Sequence, residues 1–203
     1  MSSRLRLRRR KSREEEERPP VQLTETEQSF IESWKTQPMR KPHIEKVSVN
    51  FAVGRSGPDL EKARTLCQQI TNQVPAEGRA KESVRGFGIR KHEPIGVFST
   101  LRGELAQAFL KKAFYAVEEK VATKNFDRYG NLSFGIDEHL KLPDIKYDPQ
   151  IGVHGFNTTI VMGRPGYRTK LRRIRSKKIS SRHKLTKEES IAFFKHEYNL
   201  EVE

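Results

Sequence analysis

The sequence predicts an α+β domain in which a mixed or antiparallel sheet is covered by helices on one face, with the other face open. Three observations carry this expectation. A run starting at Ile44 alternates apolar and polar residues, the pattern of a strand buried on one side. Strand and helix patterns mix along the chain without the strict alternation of a doubly wound fold. The 203 residues, 34% of them hydrophobic, suffice for a single core of modest size.

Residues 1–35 read as a charged extension, largely disordered. Up to Arg13 the chain is basic, then Glu14 to Glu17 and Pro19-Pro20 follow, with only Leu5, Leu7 and Val21 to bury. Such a segment cannot offset the entropy of ordering. A short helix is expected at 24–35, because Thr24 and Glu27 have capping-box spacing and Phe30, Ile31 and Trp34 share a stripe. Pro38 ends it, and a single domain over 36–203 follows.

In the first strand Val47, Val49, Phe51 and Val53 point one way and Lys46, Ser48, Asn50 and Ala52 the other. Gly54 to Gly57 turns the chain into a helix opened by Pro58, with Leu60, Ala63, Leu66, Cys67 and Ile70 on its apolar face as far as about Asn72. A polar stretch, 75–83, leads into a long irregular loop from Val84 to Pro94. A second strand is expected over 95–102, then a helix from Gly103 or Glu104 with Leu105, Ala108, Phe109, Ala113, Ala116 and Val117 on one side. Asp127 to Gly130 has turn chemistry; 132–136 reads as a short strand and 151–162 as a long one. The basic arm, 164–184, is expected to extend as a β-ribbon or stay loose until bound. Thr186 and Glu189 form a second capping box for a last helix, 186–199, that docks through Ile191, Phe194 and Tyr198.

Charge narrows the function. The chain carries 40 Lys plus Arg against 26 Asp plus Glu, a net charge of +14. Seven basic groups and no acid lie in residues 1–13, ten and no acid in 164–184, and the remaining 169 residues are nearly neutral at −3. Ten cations crowded together repel one another unless phosphates neutralise them, so nucleic acid is the expected partner of the arms. A localisation patch or a solvated charge run leaves unexplained why such a segment sits just before a well-formed helix. No apolar run approaches the roughly 18 residues that span a bilayer, and the Arg-rich start lacks the apolar segment of a secretory signal, so a soluble intracellular protein is expected. A mitochondrial presequence would share the Arg, Leu and Ser, but Glu14 to Glu17 depart from its acid-poor composition.

Catalytic and metal chemistry find little support. The six His are scattered without ligand spacing, Cys67 is the only cysteine and sits on an apolar helix face, and Asp137-Glu138-His139 reads as turn polarity or a structural hydrogen bond. No cofactor, metal or catalytic residue is expected. Gly54-Arg-Ser-Gly57 has the form of a phosphate-clamping G-x-x-G loop, although glycine at a tight turn more simply supplies φ freedom. Gly86-Phe-Gly88 lacks the third glycine and the helix of a nucleotide-binding loop. Its Arg and aromatic suit structured RNA, or an ordinary surface loop. If helices cover the face bearing Val47, Val49 and Phe51, the outer face presents Lys46, Ser48 and Asn50 from one strand and Gly96, Phe98, Thr100 and Arg102 from the next. Such donors suit phosphate, sugar and base edges, or simply water.

Several stretches, in order, resemble a known family: Pro38-Met-Arg40, Ile44 to Asn50 running into Gly54, Phe87-Gly-Ile-Arg-Lys91, Pro94-Ile-Gly96, Thr100-Leu-Arg-Gly103, Phe134 to His139, Tyr147-Asp-Pro149 and Arg164-Pro-Gly166. They resemble large-subunit ribosomal protein five in its archaeal and eukaryotic form, from about residue 37 to the end. The resemblance implies a cytoplasmic, ribosome-bound structural protein, not an enzyme. It would bind 5S rRNA in the central protuberance and contact large-subunit (23S-type) rRNA, the elbow of peptidyl-site tRNA, the other 5S-binding protein and the small-subunit head across an intersubunit bridge. It places Lys46, Asn50, Thr100 and Arg102 against 5S rRNA. Gln73 joins them, although Thr71-Asn72-Gln73 departs from the family's Thr-Gly-Gln. It gives the loop with Arg85, Phe87, Arg90 and Lys91 a reach toward tRNA. The basic arms, Arg8, Arg9 and Arg10 with Arg168, Lys170, Arg172, Arg173, Arg175, Lys177 and Lys178, would take rRNA phosphates. Bacterial relatives have a shorter connection at 164–184, which argues against a bacterial source. The rival classes are a free-standing RNA-binding regulator with a KH-like grip and, more distantly, an enzyme. The first should carry its cations in the body, and the second needs a convergent polar site.

Overall fold

The computed structural model describes residues 23–143 and 145–203, so the cations at 8–10 lie outside the described residues. Helix α1, Glu25–Thr36, opens on its capping box, with the Glu27 carboxylate accepting from the Thr24 N–H at 2.9 Å. It docks on the last helix rather than standing apart. Trp34 packs edge-on against Phe193 at 6.4 Å, and Lys195 Nζ donates to Glu27 Oε1 at 2.8 Å. Burial works to raise the Glu27 carboxyl, but the hydrogen bonds from Lys195 and the Thr24 N–H prevail and hold it below its ordinary range.

Strand β1, His43–Ala52, is the centre of a five-stranded sheet. Helix α2, Pro58–Thr71, follows and ends on left-handed Asn72. Then come β2, Ala76–Arg79; β3, Pro94–Leu101; helix α3, Gly103–Ala116; and a short β4, Lys120–Val121. Beyond lie β5, Leu132–Ile136; β6, Phe156–Gly163; a one-turn α4, Arg168–Leu171; α5, Lys187–Tyr198; and β7, Glu201–Val202. The sheet order is β2-β3-β1-β6-β5, antiparallel at every pairing, and β7 pairs parallel with β4. This is the expected α+β class.

One face of the sheet is the core: Val47, Val49 and Phe51, Val97 and Leu101, Leu132, Phe134 and Ile136, Ile160 and Met162 are all buried. Phe51 meets Phe156 at 5.0 Å, and α3 covers this layer through Phe109 and Phe114. The buried stripe of α3 is Ala106, Phe109, Leu110, Ala113 and Phe114, turned from the one expected, and Leu105 and Ala108 face solvent. The bulkier Leu110 and Phe114 decide the rotation, because they remove more apolar area from water than Leu105 and Ala108 would. Cys67 is fully buried on α2, and burial pushes its thiol up to about 11, so it is a core residue.

Three other expectations need correction. The polar stretch 75–83 contains strand β2, which lacks apolar alternation because it is an edge strand. The strand expected over 151–162 starts at Phe156, because a turn at 148–152 hydrogen-bonds Ile151 N–H and Gly152 N–H to Asp148 O. The basic arm is no β-ribbon. It winds through α4 and continues irregularly to a 3-10 turn, Ser181–His183. Like charges facing one another across a two-stranded ribbon would destabilise it.

Candidate nucleic-acid interface

The open face of the sheet is ordered in cross-strand rows. Thr100, Ser48, Thr159 and Ser133 stand abreast on β3, β1, β6 and β5, with Ser133 Oγ and Thr159 Oγ1 3.2 Å apart. The next row holds Phe98, Asn50, Asn157 and Gly135. Opposed residues in such rows stand about 5 Å apart, so hydroxyls and amides form a near-continuous surface of donors and acceptors. One end of the face is cationic. A bulge between Ile44 and Lys46 turns Ile44 toward the core and leaves Lys46 on the outer side, opposite Val161. Arg102, one residue beyond β3, is exposed and its Nη1 donates to Glu45 O at 3.4 Å.

Four expected residues thus share one surface: Lys46, Asn50, Thr100 and Arg102. Gln73 lies in the turn between α2 and β2, near the border of that face, and its main-chain oxygen is 3.4 Å from the Thr71 hydroxyl. Sequence reasoning missed Ser133, Asn157 and Thr159. The signal was present as alternation in β5 and β6, but the buried Thr158 blurs it by placing a polar residue on the core side.

The loop between β2 and β3 is more ordered than its aperiodic sequence suggests. A 3-10 turn, Arg85–Phe87, is closed by a bridge between Val84 and Ile89. Arg85, Phe87, Arg90 and Lys91 all face solvent, with Phe87 80% exposed at the tip. Glu93 anchors the loop. Its carboxylate accepts from the Ser56 hydroxyl and from the Arg90 N–H at 2.8 Å, and these two bonds, the hydroxyl first, hold it below the usual carboxylate range. Within the Gly54 to Gly57 turn, Ser56 is tied to Glu93 and Arg55 is paired to Asp59, and Gly54 and Gly57 take positive φ.

A testable consequence follows from the sign of that shift. A depressed carboxyl stabilises the folded loop fully above its ordinary value of 4.5 and loses that contribution as pH falls through the depressed value. Exchange protection of the Arg90 amide should therefore be lost as pH falls below the ordinary carboxylate range and through the depressed value, and Glu93→Ala should show the loss already at neutral pH. Protection unchanged in that variant would remove Glu93 as the anchor.

The basic arm presents Arg168, Lys170, Arg172, Arg173, Arg175, Lys177 and Lys178 to solvent. Its two ends are clasped. Arg164, 2% exposed, donates from Nη2 to Glu189 Oε1 at 2.6 Å; His183 Nε2 lies 2.9 Å from Pro165 O; and Leu185 N–H donates to the Tyr167 hydroxyl at 2.8 Å. Arg164 is therefore a buried structural cation and not one of the arm's free charges.

His139 is buried. Desolvation lowers its pKa, and its Nδ1 lies 3.3 Å from both the main-chain N–H and the carbonyl oxygen of His154, so it is a neutral structural residue. Among the described residues no group of three His, Cys, Asp or Glu is placed to hold a metal ion, and no helix is long and apolar enough to cross a membrane.

Comparison with known proteins decides the family. The model described as "Ribosomal protein L5" matches residues 37–90, and that described as "ribosomal L5P family C-terminus" matches 94–193. The chain is 46% identical to "Large ribosomal subunit protein uL5" of Methanococcoides burtonii over 168 residues, 83% of this chain and 99% of that one. The chain belongs to the ribosomal protein L5 family. Other L5 relatives are the uL5 proteins of Sulfolobus acidocaldarius, 44% identical over 86% of this chain and 98% of its own, and of Aeropyrum pernix, 43% identical over 85% and 88%. These L5 proteins are archaeal, in keeping with the archaeal form that the motifs resemble. As an L5 protein the chain is a structural constituent of the large ribosomal subunit, ribosome-bound in the cytoplasm, and not an enzyme. Helix α1 precedes both matched segments.

Proposed function

We propose that this chain holds 5S rRNA on its open sheet face and helps attach it in the central protuberance of the large subunit. One observation carries the reading: rows of hydroxyls and amides with Lys46 and Arg102 at one end, on a sheet whose opposite face carries the hydrophobic core. RNA recognition needs such donors at fixed spacing, with cations for phosphates and neutral groups for sugars and base edges. Lys46, Asn50, Thr100 and Arg102 make the main contacts in this reading, with Gln73 at the border. The loop bearing Arg85, Phe87, Arg90 and Lys91 reaches toward the elbow of peptidyl-site tRNA. The arm cations, with Arg8, Arg9 and Arg10, take phosphates of large-subunit rRNA. The other 5S-binding protein and a small-subunit head protein complete the set of partners.

The test is binding of the full chain to 5S rRNA against a tRNA-sized control, from ~50 to ~200 mM salt, where phosphate-dominated binding falls steeply. Preference for 5S rRNA should persist as salt rises. Asn50→Ala with Arg102→Ala should weaken 5S binding by about 30- to 1,000-fold, the loss of one neutral and one charged hydrogen bond, and leave the control RNA nearly unaffected. Wild-type affinity in that variant would mean that the sheet is not the binding face.

A further inference from the structure

We infer that Phe98 is a stacking platform for one unpaired nucleobase of the RNA on the sheet, with the amides of Asn50 and Asn157 placed to read its edge. The inference rests on the sheet-face reading above and specifies its mode of recognition.

Phe98 is 39% exposed on the open face of the sheet, on the side of β3 opposite its core residues Val97, Ser99 and Leu101. Burial does not account for it, because leaving an aromatic ring in water forgoes apolar stabilisation. Its surroundings are low. Ala76 stands opposite it on β2, and the next row is Gly78, Gly96 and Ala52, so about 10 Å of sheet beside the ring carries almost no side chain. The ring leans toward β2, with Cδ1 3.9 Å from where a Cβ on Gly78 would lie. Across the other flank, Asn50 and then Asn157 bring two amides into the same row. No cation lies in that row, so the ring has no phosphate contact to support. An exposed aromatic beside hydrogen-bonding amides is the arrangement that holds splayed, unpaired bases.

A competing structural account is that Phe98 shields the backbone of Gly78 and Gly96, as aromatics do over glycines in sheets. The two differ in what Phe98→Leu does. Leu covers the glycines but cannot stack.

The experiment uses the full chain and 5S rRNA across the same salt series. Phe98→Leu is expected to bind about 10-fold more weakly or worse, with the dependence of affinity on salt unchanged, since stacking releases no counterions. Phe98→Trp is expected to bind within about threefold of wild type, and the new indole emission, over that of buried Trp34, should be quenched by the RNA. Wild-type affinity of Phe98→Leu, a flattened salt dependence, or an unquenched indole overturns the platform. If that happens while Asn50→Ala with Arg102→Ala still loses selectivity, the sheet reading stands and only the platform falls. If all variants bind as wild type, the sheet reading itself is wrong. Should Phe98→Leu fail to fold, the quenching of Phe98→Trp decides.

Discussion

Glu189→Ala is expected to destabilise the protein by about 3–5 kcal/mol, because it strands the Arg164 guanidinium, 2% exposed, without its anion. Glu189 also closes the capping box of α5 by accepting from Thr186 N–H at 3.2 Å, but losing a cap costs only about 1 kcal/mol. The two effects separate in a double variant. Replacing both Arg164 and Glu189 with Leu removes the charges together and should be far milder than the single change, since a buried pair exchanged for apolar groups is often neutral. Urea unfolding of the three proteins tests this. A single-variant loss near 1 kcal/mol, equal to the cap alone, would show that the ion pair contributes nothing.

Phe194→Ala is expected to cost a similar ~3–5 kcal/mol. Its ring, fully buried on α5, meets Phe114 at 6.0 Å, Phe126 at 5.9 Å, Phe193 at 5.6 Å and Tyr198 at 6.0 Å, so it joins α3, the turn before β5 and the final helix. Truncation leaves a cavity bordered by rings, and rings cannot collapse into it as flexible aliphatics do. The denaturant midpoint should fall with the slope unchanged. A loss below about 1.5 kcal/mol would mean that the aromatic cluster repacks freely.

Much of this fold was legible because its central elements obey simple periods. The alternation in β1 gave the correct inner and outer faces, and the stripe on α2 named Leu60, Ala63, Leu66, Cys67 and Ile70, all of which are buried. Both capping boxes are formed. What escaped had physical causes. Strand β2 reads Ala-Glu-Gly-Arg, and only its partner β3 makes it a strand. Half of the open face, Ser133, Asn157 and Thr159, depends on which strands lie side by side, and pairing order is a long-range property. The anchoring of the tip loop by Glu93 joins residues 37 apart, and the clasp of Arg164 on Glu189 joins residues 25 apart. No local pattern announces either.

That clasp has a topological meaning. A basic segment with one free end can thread through an opening in a folded RNA, and it is then trapped or must arrive before the RNA closes. This arm has no free end: its roots are pinned by Arg164, Tyr167 and His183, so the chain between them can enter a groove only doubled back on itself, from outside. In the rRNA-binding role proposed above, it would therefore need a wider opening than a single strand would, but it could dock on RNA that is already folded and withdraw by the same route.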